Sequence, residues 1–517
     1  MTTLKETPVL IVGGGYAGLA SALLLAHQGV RCVLVDRHPG ASILGRARGI
    51  NQRTMEIYRP LGLEQAVTEA GRPFAEEGGV ARCTTLADEW QWIIAGDFPR
   101  ALPELTAAEF CMADQSSVEP ILAAAARDRG AELLFNTQCT AVAPDADGVT
   151  VEAEDRATGE RHTFRARYVI AADGYSGTIR EWLGIPRGGF RRLRDNISFV
   201  IRADLSDIIT KRALFWIIGG PGTAASGGFI SHALPNHWGV ALSYDPAEES
   251  PADFSDERCA AAAKALIGRD VPVEIVSKAA WTEAVAVADR FRDGRVFLVG
   301  DAAHVWPPAG AMGANSAVQD AHNLAWKLAA VLAGRASDAL LDTYEAERRP
   351  VALELADLTV RSQAARLGSP PEHDPMDAIL CILGQRYRST ATLGAEHETV
   401  FGDTVEQPAQ PGVRAPHLWL DLDGRRIGVH DLFHDSFVLL CGPASGEAWA
   451  RAADKVEGLR AYRVGADLID LEDAWRARYG DAAAVLVRPD GYVAWRTEGA
   501  TADPGAQLAN ALHRVLH

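Results

Sequence analysis

A glycine-rich turn between an apolar strand and an apolar helix constrains this chain more than any other feature. Val9 to Val12 is a β-type run, and Gly13, Gly15 and Gly18 follow it in the spacing Gly-x-Gly-x-x-Gly. The first glycine allows a sharp turn, the second lets backbone approach a pyrophosphate, and the third permits close packing of helix and strand. The free N–H groups at the start of the helix favour a bound phosphate. We therefore predict a βαβ unit that binds a dinucleotide.

The acidic residue that this motif requires stands at the end of the next predicted strand. Cys32 to Val35 is a short apolar run, and Asp36 follows it, 18 residues after Gly18. A carboxylate at this position can accept both hydroxyl groups of an adenosine ribose. Arg37 and Arg46 lie in the basic loop that follows, and guanidinium groups match phosphate oxygens. We expect Arg46 to contact the nucleotide, with a solvated surface charge as the alternative for either arginine.

The composition is typical of a globular chain with several domains and an acidic surface. Its 517 residues are enough for two or three domains, and 48% hydrophobic with 23% charged residues is ordinary. A formal net charge of −17 disfavours nucleic acid and anionic membranes as partners. The seven cysteines form no Cys-x-x-Cys pair, and no apolar run reaches the roughly 18 to 20 residues of a membrane span. We expect a cytoplasmic protein without a metal site or a cleaved leader.

Two further acidic turns follow apolar strands. Tyr168 to Ala172 ends in Asp173-Gly174, which taken alone is equally typical of an ordinary turn. Arg295 to Val299 ends in Gly300-Asp301. A carboxylate at the end of a central strand, beside a glycine turn, can contact a bound cofactor.

The segment after Gly300-Asp301 has a fixed, irregular backbone. Pro307-Pro308 and the glycines that follow exclude a simple helix or strand as far as Asn315, where we expect a long helix to begin. The N–H groups of residues 312–315 point off the start of that helix, where they can hold an electron-rich ring edge.

Strands rich in aromatic residues occupy the stretch from about 188 to 284. Their alternation predicts an antiparallel sheet with one face free to close over a cofactor. Trp216, Phe229 and Trp238 are candidates to line such a pocket, and a role in the core is the alternative for each. Upstream, 90–94 reads Trp-Gln-Trp-Ile-Ile and resembles a flavin-halogenase motif, but Ala95 stands where that motif has proline. We interpret these tryptophans as core or pocket wall.

The last hundred residues form a separate pattern after the polar, proline-containing stretch 406–411. Strands and helices between 413 and 517 follow a βαβ-then-hairpin order that resembles a thioredoxin-like domain. The first strand is followed by Cys441-Gly442-Pro443-Ala444, and one cysteine cannot form a dithiol couple. We therefore interpret this domain as structural, and a place at a subunit interface is one role that it could have.

Together, the three turns resemble those of the class A flavoprotein aromatic hydroxylases, the family of p-hydroxybenzoate and phenol hydroxylases. The resemblance covers roughly residues 8 to 395 and matches two FAD fingerprints, with an Asp-Gly motif and Arg180 between them that the family uses for both FAD and NADPH. One departure is Gly177, where many members carry serine, which leaves the NADPH contact open. The implied FAD-contacting residues are Gly13, Gly15, Tyr16, Ala17, Gly18, Asp36, Arg37, Arg46, Gln115, Asp173, Gly174, Gly300, Asp301, Pro308, Gly313, Ala314 and Asn315.

The resemblance implies an α/β fold with three domains. A discontinuous Rossmann-like FAD-binding domain would span 1–187 and 285–395, with a substrate-binding antiparallel sheet inserted at 188–284. A linker at 396–412 would lead to the thioredoxin-like domain at 413–517. This C-terminal extension, its Arg-Pro-Asp-Gly-Tyr stretch from Arg488, and the segment 384–389 are similar to bacterial polyketide hydroxylases of the anthracycline and angucycline pathways.

The same resemblance implies an NAD(P)H-dependent monooxygenase that inserts one oxygen atom from O2 into an aromatic polyketide through a flavin C4a-hydroperoxide. Pro308 would lie near the reacting C4a position, the backbone at Gly313 would stabilise charge at the N1–C2 edge, and Asp301 would hold the ribityl chain. Pro307 is a fourth candidate for substrate contact. NADPH, or NADH, would bind transiently, because no further glycine fingerprint follows.

Several points stay open at this stage. Histidine is the side chain whose ordinary pKa lies near neutral pH, which makes His232, His237 and His304 candidates, but we assign none of them as the base that would activate a phenol. The protein is expected to be a monomer or a homodimer. Baeyer–Villiger oxygenation, a flavin dehydrogenase or oxidase without oxygen insertion, and a non-enzymatic FAD-binding module are the alternatives, and product mass separates oxygenation from dehydrogenation.

Overall fold

The computed structural model describes residues 3–42, 47–74, 79–94, 101–210, 213–219, 226–232, 234–366, 375–443, 446–498 and 501–517. The α-helices in these ranges are α1 (Tyr16–His27), α2 (Gln52–Tyr58), α3 (Glu64–Ala70), α4 (Gln115–Asp128), α5 (Ile179–Trp182), α6 (Asp256–Ile267), α7 (Met312–Leu332), α8 (Asp342–Arg366), α9 (Pro375–Leu383), α10 (Gly446–Ala453), α11 (Trp475–Tyr479) and α12 (Pro504–Leu516).

The strands in the same ranges are β1 (Thr3–Val12), β2 (Cys32–Val35), β3 (Gly49–Ile50), β4 (Val80–Cys83), β5 (Gln91–Ile94), β6 (Cys111–Met112), β7 (Glu132–Leu134), β8 (Thr137–Pro144), β9 (Val149–Asp155), β10 (Arg161–Ala171), β11 (Arg187–Arg202), β12 (Phe215–Ile218), β13 (Gly227–Ser231), β14 (His237–Tyr244), β15 (Glu274–Ala288), β16 (Arg292–Asp293), β17 (Val296–Leu298), β18 (His304–Val305), β19 (Trp419–Leu422), β20 (Arg425–Gly428), β21 (Phe437–Cys441), β22 (Leu459–Arg463), β23 (Ile469–Asp470), β24 (Ala482–Val487) and β25 (Val493–Glu498).

A mainly parallel sheet carries the three predicted turns. Its strands lie in the order β16-β17-β10-β1-β2-β7, and the pairs from β17 to β7 are parallel. Strands β8 and β9 extend it as an antiparallel flap from β10. Leu10, Ile11 and Leu34 have no exposed surface, as expected of parallel strands covered on both faces. Helix α1 packs against α7, so the first glycine turn and the last lie side by side.

A second, mainly antiparallel sheet has the order β18-β15-β11-β14-β13-β12-β4-β5. Helix α6 covers one of its faces, and their side chains form a separate apolar core. Strands β4, β5 and β18 lie outside the predicted segment 188–284, and β15 crosses its end. The sheet therefore includes strands that come before and after that segment in the sequence. These strands lie in connections between elements of the parallel sheet and form the edges of the antiparallel sheet.

The C-terminal region contains a four-stranded sheet in the order β22-β21-β24-β25. The pair β21–β22 is parallel and the other two pairs are antiparallel. With α10 between β21 and β22 and α12 at the end, this is the thioredoxin-like topology that the sequence predicts. Cys441 ends β21 and is fully buried.

The predicted elements differ from the observed ones in two details. Residues 168–171 of the expected strand 168–172 are the end of the longer strand β10, whose register with β1 is the same on both sides of Arg167. Helix α7 begins at Met312, three residues before the expected start. None of the described helices combines the length and apolar character needed to cross a membrane.

Candidate functional site

Four turns meet at one edge of the parallel sheet. Gly13 follows β1, Asp36 follows β2, Asp173 lies just after β10, and Gly300 lies just after β17. Because these strands are parallel neighbours, their carboxyl ends lie at the same edge. Open α/β sheets bind their ligands in the crevice outside this edge. The structure thus brings together the turns that the sequence singled out separately.

The three glycines of the first turn differ in what surrounds them. Gly13 has φ +109°, and a Cβ added there would lie 2.1 Å from the carbonyl oxygen of Ala172. A Cβ at Gly18 would lie 1.8 Å from the carbonyl oxygen of Gly13. At Gly15 the nearest atom is Oε1 of Glu119, at 3.7 Å. Gly13 and Gly18 are therefore required by the protein itself, whereas Gly15 keeps space open in front of α1.

That open space lies at the start of α1, where no side chain of the described residues caps the helix. The N–H groups of the first turn consequently lie at the positive end of the helix dipole, with no capping side chain from the part of the chain that the structure describes. Tyr16 and Ala17, in this turn, are buried, so they offer a cofactor their backbone rather than their side chains. This arrangement fits the pyrophosphate of a dinucleotide.

Asp36 is held in place by backbone donors. Its Oδ2 accepts the N–H of Gly14 at 2.6 Å, and its Oδ1 accepts the N–H of His38 at 2.7 Å. Each carboxylate oxygen can accept a second hydrogen bond, so the two hydroxyls of a ribose fit. Arg37 is exposed, and Arg46 lies outside the described residues.

The carboxyl group of Asp173 is buried beside the turn that follows β10. Its Oδ2 accepts the N–H of Ile179 at 3.1 Å, and its Oδ1 is buried without a partner in the described structure. Burial raises the pKa of this carboxyl, against the lowering effect of the Ile179 N–H. A Cβ at Gly177 would lie 2.2 Å from Cγ of Asp173, which explains why glycine replaces serine here. Arg180 donates to the carbonyl oxygen of Ile185 and so supports the turn itself.

Gly300 brings the turn after β17 against the turn after β1. It has φ +63°, and a Cβ there would lie 2.9 Å from Cβ of Ala17 and 3.0 Å from Cβ of Ala317. Asp301, the next residue, is exposed at the mouth of the crevice. A carboxylate at this place can accept the hydroxyls of a polyol chain such as the ribityl chain of FAD.

His304 supports this turn. Its Nε2 is 2.7 Å from Oδ2 of Asp320, and its ring stacks on Trp306 with centroids 4.4 Å apart. The same carboxylate accepts the N–H of Gly300 at 3.1 Å and Nε of Arg348 at 2.7 Å. Asp320 therefore fixes the 300–306 segment to α7 and α8. Sequence reasoning missed this residue, because a mid-helix aspartate gives no local signal of a buried network.

The loop before α7 is bound to strand β3. Asn315 donates from Nδ2 to the carbonyl oxygens of Gly49, at 2.8 Å, and Ala311, at 2.6 Å, and its Oδ1 accepts the N–H of Asn51 at 3.0 Å. Its side chain is thus engaged by protein, and the free N–H groups in the first turn of α7 are those of the residues before Asn315. Ala311 has φ +54°, a left-handed conformation that turns the chain into the helix.

The remaining predicted cofactor residues surround the same crevice. Gly313 and Ala314 are half-buried in the first turn of α7, and Pro308 is exposed. Gln115 begins α4, where its Nε2 donates to Oε1 of Glu119 at 2.6 Å. Gly174, beside Asp173, has φ +79° and forms the turn after β10.

Three of the predicted substrate residues lie elsewhere. Trp216, Phe229 and Trp238 face α6 and pack on one another, with ring centroids 5.9 to 6.4 Å apart. Trp90, from the halogenase-like segment, packs edge-on against Trp216. These tryptophans and Phe229 are core residues, because α6 supplies the apolar face that they bury against. Their packing favours the alternative given for each of them, a role in the core, over a place in the pocket wall.

Successive side chains alternate across a strand, so the neighbours of these core residues point to the other face. Phe215, Ile217 and Ile230 are half-buried there. Pro307, the fourth predicted substrate residue, is buried in the loop before α7. Segment 304–305 is hydrogen-bonded to β15, so the antiparallel sheet begins within a few residues of Asp301.

Comparisons with known proteins agree with this geometry. Residues 6–359 match the family model described as FAD binding domain, and residues 408–517 match the model described as aromatic-ring hydroxylase, C-terminal. Tetracenomycin A2 monooxygenase-dioxygenase of Streptomyces glaucescens is 41% identical, with 99% of this chain and 97% of that protein covered. Aklavinone 12-hydroxylase RdmE of Streptomyces purpurascens is 38% identical, with 99% and 98% covered.

Among solved structures, aklavinone-11 hydroxylase in a ternary complex with FAD and aklavinone superposes with a TM-score of 0.90. It is 36% identical, and both chains are covered completely. These matches confirm the resemblance drawn from the three motifs, the α/β fold with its C-terminal domain, and FAD with O2 and a reduced nicotinamide as the reactants. The chain belongs to the family of FAD-dependent aromatic-ring hydroxylases.

Proposed function

We propose that this enzyme hydroxylates a polycyclic aromatic polyketide. The observation that carries the proposal is the meeting of the glycine and aspartate turns beside the antiparallel sheet, whose face opposite α6 presents apolar side chains. A chamber with one polar wall for a flavin and one apolar wall suits a large planar ring system. The proteins most similar over the whole chain include enzymes named for tetracenomycin and aklavinone, which supports this substrate class.

Each turn has a proposed part in holding FAD. The N–H groups at the start of α1 hold the pyrophosphate, Asp36 accepts the ribose hydroxyls, and Asp301 accepts those of the ribityl chain. Pro308 and Gly313 position the ring by their backbone, and the first N–H groups of α7 stabilise negative charge at the ring edge. Bound FAD supplies the chemistry that activates O2. The chain orients both reactants and excludes water.

The substrate faces the apolar side of the antiparallel sheet in this proposal. Phe215, Ile217, Ile230 and Pro307 form its wall, in place of the aromatic residues that lie under α6. We propose domain limits of 1–187 and 285–395 for FAD binding and 188–284 for most of the substrate sheet, with strands β4 and β5 added to it. The linker 396–412 and the domain 413–517 complete the chain.

Further parts of the proposal concern partners and setting. NADPH or NADH binds transiently at the crevice, and the protein is a monomer or a homodimer. None of the seven cysteines is in a disulfide bond, which supports a reducing compartment such as the cytoplasm.

The test uses the purified protein with FAD, NADPH or NADH, and a panel of tri- and tetracyclic aromatic polyketides. We expect oxidation of the reduced nicotinamide to accelerate with at least one of them, and the product to gain one oxygen atom. A product that loses two hydrogen atoms would contradict oxygen insertion. A lactone would identify Baeyer–Villiger oxygenation, because it has the mass of the hydroxylated product but a cleaved C–C bond.

A further inference from the structure

His232 is a buried histidine directly after β13, and one of its ring nitrogens has no hydrogen-bond partner among the described residues. The side chain is 6% exposed. Nδ1 accepts the N–H of Leu234 at 3.2 Å, whereas Nε2 is buried and unpaired. A buried polar atom without a partner destabilises the folded state, so such an atom calls for an explanation.

The hydrogen bond at Nδ1 determines what Nε2 can do. A nitrogen that accepts an N–H uses its lone pair, so the proton of the neutral ring is on Nε2. Burial and the nearby charges of Arg48 and His237 lower the pKa of His232, against the raising effect of Asp114, which favours this neutral form. Nε2 is therefore a hydrogen-bond donor. It cannot act as the base that deprotonates a phenol while the bond to Leu234 is present.

The neighbours of His232 place it where the two sheets meet. Both the carbonyl oxygen and the hydroxyl of Ser231 accept hydrogen bonds from Arg48. Arg48 also pairs with Asp114 at 2.8 Å, with both side chains buried. The residue after Arg48 is Gly49, where an added Cβ would lie 2.8 Å from Cβ of Ala311. His232 is therefore the neighbour of Ser231, whose hydrogen bonds with Arg48 link the antiparallel sheet to the segment that packs on the loop before α7.

We propose that Nε2 of His232 donates a hydrogen bond to an oxygen atom of the aromatic substrate and so determines which ring carbon is presented to the flavin. Aromatic polyketides carry phenol and quinone oxygens on their rims, and each of these is an acceptor for an N–H. His232 is then a positioning residue for specificity. This inference depends on the proposed function, because it requires an oxygen-bearing polycyclic substrate in the chamber.

Two substitutions separate the donor from the rest of the ring. His232→Asn keeps an acceptor near the position of Nδ1 for the Leu234 N–H but removes the donor at Nε2. His232→Gln places an amide N–H near the position of Nε2. His237→Gln is the matched control, since its ring is 6.1 Å from that of His232 and its Nδ1 is bonded to the carbonyl oxygen of Pro235.

The probes are aklavinone and 1,8-dihydroxyanthraquinone, added to the FAD-loaded full-length protein. The measurements are the dissociation constant of each probe from the change in flavin absorbance, the dissociation constant of FAD, KM and kcat, and the product formed per NADPH consumed. For His232→Asn we expect the dissociation constant of each probe, and KM, to rise about tenfold, because one hydrogen bond is lost. FAD affinity should stay within about twofold, and less product should form per NADPH. His232→Gln should restore most of the probe affinity, and His237→Gln should match the wild type.

Each other outcome is decisive. Unchanged probe affinity in folded His232→Asn, or a parallel loss of FAD affinity, would overturn the proposal, the second because His232 would then contact the cofactor. If His232→Asn does not fold, the comparison is between His232→Gln and His237→Gln. The proposal is overturned if His232→Gln binds the probes about tenfold or more weakly than His237→Gln, because its amide N–H should still donate to the substrate. Failure of the wild-type protein to bind or oxidise any polycyclic probe would instead contradict the proposed function, and the role of His232 with it.

Discussion

Glu347 and Arg488 form a two-point salt bridge between side chains that have no exposed surface. Nη1 of Arg488 donates to Oε1 of Glu347 at 2.6 Å, and Nη2 donates to Oε2 at 2.8 Å, across 141 residues of sequence. Glu347 lies in α8, and Arg488 follows β24 of the C-terminal sheet. Paired charge-assisted bonds of this geometry are strong and directional. The Arg-Pro-Asp-Gly-Tyr segment therefore binds the C-terminal domain to the FAD-binding domain.

Breaking this pair should destabilise the whole protein. Arg488→Met leaves the carboxylates of Glu347 and Asp490 buried without their shared partner, and such losses cost about 3–5 kcal/mol. We expect that decrease in the free energy of unfolding by chemical denaturation. Arg476→Met removes an exposed pair with Asp481, whose side chains are 85% and 83% exposed, and should change it by less than about 0.5 kcal/mol. Equal effects of the two substitutions would show that the buried bridge does not join the domains.

The glycines of the first turn should separate folding from cofactor binding. Gly18→Ala forces a Cβ against the Gly13 carbonyl and should lower both the melting temperature of the FAD-free protein and its FAD affinity. Gly15→Ala meets no protein atom closer than 3.7 Å, so the melting temperature should stay within a few degrees while FAD binding is lost. Calorimetry and a fluorescence titration with FAD measure the two effects. Normal FAD affinity in Gly15→Ala would place the pyrophosphate elsewhere.

The sequence predicts those parts of the site that depend on local backbone geometry. Gly13, Gly18, Asp36 and Gly300 were identifiable because a turn after a buried strand restricts which residue types fit. Asp320 and Glu347 were not, since their partners come from helices and domains far along the chain. A mid-helix carboxylate is typical of a solvated surface, and only the packing of α7, α8 and the C-terminal sheet shows that these two are buried.

The sequence also does not show which face of the sheet a given strand residue occupies. Trp216 and Phe215 are adjacent in sequence and equally apolar, yet they face opposite sides of the antiparallel sheet. Their order along the strand shows that they differ in orientation, but not which of them faces α6. The orientation depends on where α6 packs, and that helix is formed from residues 256–267, which come after β12, β13 and β14 in the chain.

Gly177 should resist replacement by the serine that many family members carry. A Cβ at this position would be 2.2 to 2.4 Å from the carboxylate atoms of Asp173. Gly177→Ser must therefore displace Asp173, and overpacking of this kind costs about 1–3 kcal/mol. Thermal unfolding measures the loss, and Gly40→Ser, where no atom lies within 4 Å of an added Cβ, is the control. A more stable Gly177→Ser would mean that Asp173 adopts another position.

Buried histidines in the C-terminal region should make stability depend on pH. Burial, with a smaller effect of Arg414, lowers the pKa of His417 to about 3, and burial also lowers that of His430. Below the unfolded value of about 6.5 the unfolded chain binds protons that the native protein does not, so stability falls as the pH falls. The loss is about 1.4 kcal/mol per pH unit for each histidine and continues down to the native pKa.

Denaturation curves at intervals from pH 7 to about pH 5 measure this dependence, because that range starts above the pKa of histidine in the unfolded chain and extends below it. His417→Leu should reduce the slope by one histidine's share, because leucine does not titrate. No effect is expected above the unfolded pKa, where the ring is neutral in both states. An unchanged slope in His417→Leu would show that His417 is protonated in the native protein.

Oxygen insertion is tested by the mass of the product that the FAD-loaded protein forms under isotopically heavy dioxygen with NADPH and a polycyclic aromatic polyketide. We predict that the product contains one heavy oxygen atom on the aromatic system, and that its formation requires FAD. A product without heavy oxygen, or a protein that binds no FAD when titrated with it, would contradict flavin-dependent oxygen insertion by this enzyme.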